Sequence, residues 1–234
     1  TDPVTDLLGR GVLVVDGGEH DHYRELMEPP LHPSKLAGYA PMMLAQTDRV
    51  SSQWRDGDTV DMLVESRKIA LLIIMDTLFS KDVWDDLPRI WKPILKAIEY
   101  ISPGMWIIWR KMPRPGFKKP LRELDDYLYE IISERRRHNA EWKVESGKTD
   151  LLQHLIDAGL SDKVIRDQML TMLIAGHDTS TALLAWVFAM LGQRPEIHSS
   201  LVSEVDTLDK SPLLDQVIKE SLRLYPPIHI GNRR

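Results

Sequence analysis

The sequence contains no cysteine, and this absence excludes several kinds of protein at once. Without a thiol, the 234 residues cannot form a disulfide framework, a thiolate metal site or a cysteine nucleophile. The first residues, TDPVTDLLGRG, also lack an initiating methionine, a basic segment and an apolar segment. We therefore expect a cut N-terminus rather than a processed leader, and no compartment is indicated.

A surplus of positive charge is absent as well. The formal net charge is −5, and acidic and basic residues are mixed along the chain, so nucleic acid is not expected as a partner. Hydrophobic residues make up 43% of the chain, which is enough for a sizeable core. The composition therefore indicates a folded protein with a solvated surface.

Regularly spaced apolar residues predict a mainly α-helical fold with little β structure. Gly and Pro are concentrated in a few places, and the segments between them carry apolar residues three and four positions apart. No repeat and no long linker divides the chain, so one helical domain over residues 1–234 is predicted. A short strand is predicted at 12–15. The predicted helices cover residues 19–28, 34–54, 59–79, 86–101, 118–143, 149–157, 162–193, 195–207 and 212–224.

A proline-rich segment at 100–120 interrupts the helical pattern. It contains four prolines, and Trp106 and Trp109 are followed by Arg110 and Lys111. This composition predicts a loop between two helices. Contact with a membrane surface, the edge of a ligand entrance and an ordinary packed surface loop all fit these residues, and the sequence does not decide between them.

The longest predicted helix follows Ser161, whose hydroxyl suits an N-cap, and the next proline is Pro195. About 30 residues can then run as one helix roughly 45–50 Å long. Apolar residues lie on nearly every side, which predicts a helix that is buried all round and crosses the core. The apolar stretch 169–191 reaches membrane-spanning length, but the polar residues at 177–181 argue against a lipid-facing helix.

A polar cluster lies midway along this helix. Burying Asp178 costs several kcal/mol unless the carboxylate is paired, protonated or facing a wet cavity. Gly176 costs about 1 kcal/mol relative to alanine inside a helix and opens space beside the backbone. Ala175 and Thr179 stand four apart, so a small side chain and a hydroxyl share one face. A ligand cavity and a kinked core helix, whose threonine bonds back to a carbonyl, explain this pattern equally well.

Spacing argues against two other kinds of site. His20 and His22 are two apart, so on a helix they point to nearly opposite sides and cannot chelate one ion, and no further zinc ligands are evident. Gly9 and Gly11 lack the third glycine and the following helical pattern of a dinucleotide-binding loop. We expect neither a zinc hydrolase nor a dinucleotide site.

Two motifs resemble those of the cytochrome P-450 family. Residues 175–180, AGHDTS, resemble the oxygen-activating motif of its long central I-helix. Residues 220–227, ESLRLYPP, are similar to its Glu-x-x-Arg motif, with Glu220 and Arg223 at the motif positions. Taken alone, these two residues would form a surface ion pair of negligible worth. The resemblance implies instead a buried, structural pair and a partial cytochrome P-450 fold.

Three basic residues fit the haem site that this family uses. His20 and Arg24 lie four apart, as in the family's C-helix, whose basic residues bind haem propionates. Arg233 follows at the spacing of another propionate-binding arginine, with Arg234 as the less suitable substitute. In isolation, His20 would be an ordinary exposed histidine. The resemblance implies haem b as the cofactor, and the implied cofactor-binding residues are His20, Arg24, Ala175, Gly176, Thr179 and Arg233.

For the complete protein, the resemblance implies a monooxygenase that hydroxylates a lipophilic small molecule with O₂ and two electrons. Thr179 would orient the group that delivers protons to oxygen, and Asp178 would link it to solvent. A ferredoxin or a flavoprotein reductase would supply the electrons, and a bacterial protein of this kind would be cytoplasmic. Membrane contact is left open.

The resemblance covers the chain from before the C-helix to just after the K-helix. The family's N-terminal sheet region and the loop with the axial cysteine lie outside these residues, and the connection at 204–216 is short. Because the thiolate ligand drives cleavage of the O–O bond, we do not expect these 234 residues alone to catalyse the reaction.

Two alternatives keep the same scaffold. One is a family member that isomerises or dehydrates an oxygenated lipid without O₂, although the intact pair Asp178 and Thr179 argues against it. The other is a haem-free helical protein used for binding, which the absence of cysteine supports.

Overall fold

The computed structural model describes residues 3–102, 114–138, 150–204 and 211–228. In these ranges the chain is mainly α-helical and contains no strand, which confirms the predicted fold class. The helices are α1 (Pro3–Leu8), α2 (Gly17–Leu31), α3 (Pro33–Ser51), α4 (Met62–Phe79), α5 (Leu87–Ile101), α6 (Lys118–Arg137), α7 (Leu151–Asp157), α8 (Asp162–Gly192), α9 (Pro195–Ser203) and α10 (Pro212–Leu224).

The predicted helices are confirmed, whereas α1 was not predicted. The segment 12–15, predicted as a strand, forms a turn instead, in which the Val14 N–H donates to the Gly11 carbonyl oxygen at 2.9 Å. Ser161 directly precedes α8, and its Oγ lies 3.5 Å from the backbone nitrogen of Val164, as expected of an N-cap. Residues 139–143, 149 and 205–207 of three predicted helices, and 103–113 of the predicted loop, lie outside the described residues.

The chain forms two compact units. The first contains residues 1–46 and 72–175, and the second contains residues 47–71 and 176–234. Three helices, α3, α4 and α8, contribute residues to both units. The single domain over residues 1–234 stays a prediction.

The core of the first unit is built from amphipathic helices. α5 packs against α1 and α6, and α7 packs against α2 and α6. The buried residues of α5 are Ile90, Pro93, Ile94 and Ala97, which recur three and four positions apart. This spacing places them on one face of the helix, so their burial follows directly from the sequence pattern.

A buried ion pair joins the end of α6 to the start of α7. Arg135 Nη1 donates to both carboxylate oxygens of Asp150 at 2.9 Å, and Nη2 donates to the Phe79 carbonyl oxygen at 2.7 Å. Asp150 also caps α7, because its Oδ1 accepts from the Gln153 N–H at 2.7 Å. The side chains of Arg135 and Asp150 are only 7% and 3% exposed, so water cannot replace either partner.

The first half of α8 carries a second set of buried charges. Arg166 pairs with Asp125 and donates to Asp167 Oδ1 and to the Leu7 carbonyl oxygen, both at 2.8 Å. Within the described ranges, α8 is the one helix long and apolar enough to cross a membrane, by length and composition alone. Its buried, protein-paired charges are typical of a helix inside a protein core rather than of one facing lipid.

In the second unit, α8 is less buried than predicted. His177 and Thr181 are buried, but no later residue of α8 is buried in the described part of the chain. Trp186 is 41% exposed and stacks on Tyr225, with ring centroids 3.8 Å apart. The prediction of a helix buried all round is therefore wrong for residues 182–192, because apolar composition does not determine which sides of a helix are covered.

Replacing Asp150 with asparagine removes the charge that neutralises Arg135 and keeps nearly the same shape. Because a buried charge without its counter-charge is costly, we expect the free energy of unfolding to fall by about 3–5 kcal/mol. Asp162→Asn is the matched control, since it breaks the partly exposed pair with Arg136 at 2.7 Å and should cost less than about 1 kcal/mol. Denaturant unfolding followed by circular dichroism measures both losses, and equal losses would contradict this account.

Candidate functional site

The polar cluster of α8, residues 177–181, has an exposed side and a buried side. Asp178 and Ser180 are exposed, Thr179 is partly exposed, and the buried members are His177 and Thr181. His177 and Thr181 are four residues apart and share one face, whereas Asp178 lies about 100° from His177 around the helix. Asp178 is therefore not buried in the described structure, and its carboxylate does not incur the desolvation cost that burial would bring.

The predicted ligand-facing residues lie in unbroken helix. Ala175, Gly176 and Thr179 are all partly exposed and belong to the continuous α8. By helical spacing, the three residues fall on one side of α8. Their place beside a bound ligand stays a prediction.

His177 fastens α8 to α4 within the second unit. Its Nε2 lies 3.1 Å from the Arg67 carbonyl oxygen, and because a carbonyl only accepts, Nε2 carries the proton. The residue is 1% exposed. Burial lowers the pKa of His177 to about 4, and the hydrogen bond to Arg67 and the charge of Asp178 offset this only in part. The ring is therefore neutral at pH 7.

His20 and Arg24 lie on one helix, as predicted, and this helix, α2, belongs to the first unit. Tyr23 and Met27 form the buried side of this helix. His20 Nδ1 lies 3.1 Å from Asp21 Oδ1, a contact between neighbouring residues at the surface. Arg24 is exposed and makes no ion pair with another described residue. Its guanidinium therefore keeps its hydrogen-bonding capacity for a ligand.

Arg24 lines a cavity of about 330 Å³ in the first unit. The wall is mainly apolar, and its lining contains the cation Arg24 and the carboxylate Glu28. The apolar lining and the guanidinium of Arg24 suit an apolar molecule that carries a carboxylate. The lining residues are Val12, Arg24, Met27, Glu28, Leu31, His32, Pro33 and Met172.

The pair Glu220 and Arg223 forms, but it is not buried. Arg223 donates to both carboxylate oxygens of Glu220 at 2.7 Å, and these hydrogen bonds lower the pKa of Glu220. The two side chains are 50% and 66% exposed in this chain, and the burial that the resemblance implies for the complete protein stays a prediction. Within the described part of the chain, Ser221 is the only buried residue of α10. Glu220 precedes it and Arg223 follows it in the sequence.

One predicted site residue cannot be placed, and two buried polar residues were not predicted. Arg233, with its substitute Arg234, lies outside the described residues. Sequence reasoning missed the buried pair Asp167 and Gln168, whose side chains bind the backbone at 10–12. The available signal was a run of polar residues at 166–168 inside a helix predicted to be core.

Comparison with known proteins is consistent across three kinds of match. A family model for cytochrome P-450 matches residues 3–234. Pentalenene oxygenase of Streptomyces avermitilis is 30% identical over 99% of this chain and 56% of its own length. Cyclooctat-9-en-7-ol 5-monooxygenase of Streptomyces melanosporofaciens is also 30% identical, over 99% of this chain and 55% of its own length. The chain thus spans about half the length of these relatives.

The fold also matches that of solved structures. Retinoic acid-bound cyanobacterial CYP120A1 superposes with a TM-score of 0.77, at 24% identity, over 97% of this chain and 54% of that one. At this identity the match supports the fold alone. The match is partial, because it covers only 54% of the chain of the solved structure.

Replacing His177 with leucine removes a group whose pKa differs between the folded and unfolded states. The folded value is about 4 and the ordinary value is 6.5, so between these values the unfolded state binds more protons. Wild-type stability should therefore fall as the pH drops from 7 to about 4.5, by about 2–3 kcal/mol from this residue.

His177→Leu should lose less stability over the same interval. His198→Leu, at an exposed position, is the control and should follow the wild type. Urea unfolding at the two pH values gives the measurement. If His177→Leu and the wild type lose the same amount, the buried, neutral ring is not what couples stability to pH.

Proposed function

Because the chain belongs to the cytochrome P-450 family, we propose that the protein is a haem-dependent monooxygenase that hydroxylates a lipophilic small molecule with O₂ and two electrons. The observation that carries this proposal is α8, where a small-residue face at 175–176 is followed by Thr179 and a solvent-facing Asp178. The oxygenase names of two relatives support the same reaction class. The axial thiolate has to come from outside these residues, which contain no cysteine.

The residues of the first unit fit the cofactor. Haem is an apolar macrocycle with two propionates, and the cavity at Arg24 offers apolar walls and a guanidinium without an ion-pair partner among the described residues. We assign Arg24 and His20 to the propionates, because charge-assisted hydrogen bonds to carboxylates are about twice as strong as neutral ones. When bound, haem supplies the iron centre at which oxygen is reduced.

Thr179 and Asp178 are assigned to proton delivery. A threonine hydroxyl both accepts and donates, so Thr179 can pass on a proton that it receives. The Asp178 carboxylate is exposed and can exchange protons with bulk water. His177, the neighbour on the buried side, is neutral and hydrogen-bonded to Arg67, so it is not part of this route.

The substrate class and the electron source follow from the same proposal. Relatives named for pentalenene and cyclooctat-9-en-7-ol support a lipophilic substrate. Two electrons per turnover require a ferredoxin or a flavoprotein reductase as partner. No nucleic acid is expected in the complex, since the net charge is −5.

Replacing Thr179 with alanine in the complete protein should separate electron use from product formation. Without the hydroxyl, protons reach oxygen unselectively, so we expect hydrogen peroxide to accumulate and product per electron to fall at least roughly tenfold. Ser180→Ala, at the exposed neighbouring position, is the matched control and should keep wild-type coupling. Unchanged coupling in Thr179→Ala, measured as product and peroxide per NAD(P)H oxidised, would refute the role of Thr179.

Replacing Arg223 with glutamine tests the Glu-x-x-Arg pair. Since the pair is exposed in this chain, the thermal midpoint of these 234 residues should barely change. In the complete protein, where the resemblance implies a buried pair, we expect loss of stable haem incorporation, measured as haem per protein chain, because an unpaired buried charge is costly. Lys219→Gln, which breaks the exposed pair with Asp215 on the same helix, should keep normal haem content. Normal haem content in Arg223→Gln would contradict the structural assignment.

A further inference from the structure

A backbone segment of the first unit is held against α8 by side chains. Gln168 Nε2 donates to the Arg10 carbonyl oxygen at 2.8 Å, and Gln168 Oε1 accepts from the Val12 N–H at 2.9 Å. Asp167 Oδ2 accepts from the Arg10 N–H at 2.9 Å. Three polar groups of the backbone at Arg10 and Val12 are thus bound by two neighbouring side chains of one helix.

The buried side chains on α8 and the glycines of the backbone segment allow the two to lie close together. Gln168 is fully buried and Asp167 nearly so. A Cβ added at Gly11 would lie 1.9 Å from Thr171 Oγ1 and 3.1 Å from the Asp167 carbonyl oxygen, so only glycine fits there. Gly9 adopts a φ of 57° and also leaves no room, with Asp167 Oδ2 2.2 Å from an added Cβ.

The contact leads directly to the cavity that contains Arg24. Val12, whose N–H is bound by Gln168, lines that cavity, and so does Met172. Gln168 and Met172 are four apart and share one face of α8. Gln168 therefore sets how far the wall at Val12 stands from the wall at Met172, although Gln168 does not line the cavity itself.

We propose that Gln168 is a positioning residue for haem: by holding Arg10 and Val12 on α8, it fixes the width of the cavity that Arg24 lines. This inference rests on the proposed function, because it assigns that cavity to the propionate-bearing edge of the cofactor. A donor and an acceptor on one amide are needed to bind a carbonyl and an N–H two residues apart. Glutamine satisfies both, whereas a carboxylate or an apolar side chain does not.

The test compares haem retention with stability in the complete holoprotein. Gln168→Met removes both hydrogen-bonding groups and keeps a similar volume, and Gln168→Glu keeps the acceptor for Val12 but loses the donor to Arg10. Gln46→Met is the matched control, because Gln46 is also buried and its Nε2 donates to Asp76 at 2.9 Å between α3 and α4, away from the cavity lining. The first readout is the thermal midpoint of unfolding. The second is the rate of haem transfer to excess apomyoglobin, measured at a temperature well below that midpoint.

Both methionine variants should lower the thermal midpoint, but Gln168→Met alone should release haem roughly tenfold faster or more. Gln168→Glu should also release haem faster than the wild type, because it loses the donor to Arg10, and it carries the comparison if Gln168→Met does not fold. Equal haem-release rates for the variants at 168 and at 46, with normal haem in the wild type, would overturn the positioning role alone. A complete wild-type protein without haem would overturn the proposed function and this inference together.

Discussion

An arginine buried on α8 has to be neutralised where water cannot reach it, and the partners it requires come from distant parts of the chain. Arg166 binds Asp125 of α6 and the carbonyl of Leu7 at the end of α1. The next two residues of α8 bind the backbone at 10–12. α1, the turn that follows it and α6 are therefore held against one helix, and the cavity at Arg24 lies beside this arrangement. Polar contacts inside the core therefore contribute to the geometry of the proposed cofactor site.

The same helix changes character in the second unit. Its buried side there is limited to His177 and Thr181, and its exposed side carries Asp178. His177 is buried and neutral and anchors α8 to α4, whereas the neighbouring Asp178 is exposed and can exchange protons with water. In the proposed enzyme, Thr179 follows directly and can relay protons without disturbing the contact between α8 and α4. The apolar residues farther along α8, such as Trp186, remain partly exposed.

Most helices could be predicted because apolar spacing is a local property of the sequence. α1 was missed because six residues are too few to show a period. The strand predicted at 12–15 was wrong because the backbone groups next to it bind side chains more than 150 residues away, which no local pattern reports. The site motif and its candidate residues could be recognised from the sequence. Which members of the motif are buried could not, since α8 is apolar on nearly every side and spacing alone does not select its packed face.

The pair Glu220 and Arg223 shows the same limit. Its formation follows from helical spacing, but its burial depends on what covers α10, and this is not encoded in the local pattern. Arg24 is exposed and has no ion-pair partner among the described residues, and its role toward the cofactor stays a proposal.

The central claim is that the complete protein holds haem through a thiolate. The absorption spectrum of the reduced, carbon monoxide-bound complete protein tests this claim most directly, because the axial ligand determines the position of the main band. A band at the red-shifted position typical of thiolate-ligated haem is predicted. A band at the position typical of histidine-ligated haem, or a protein that takes up no haem at all, would contradict the claim.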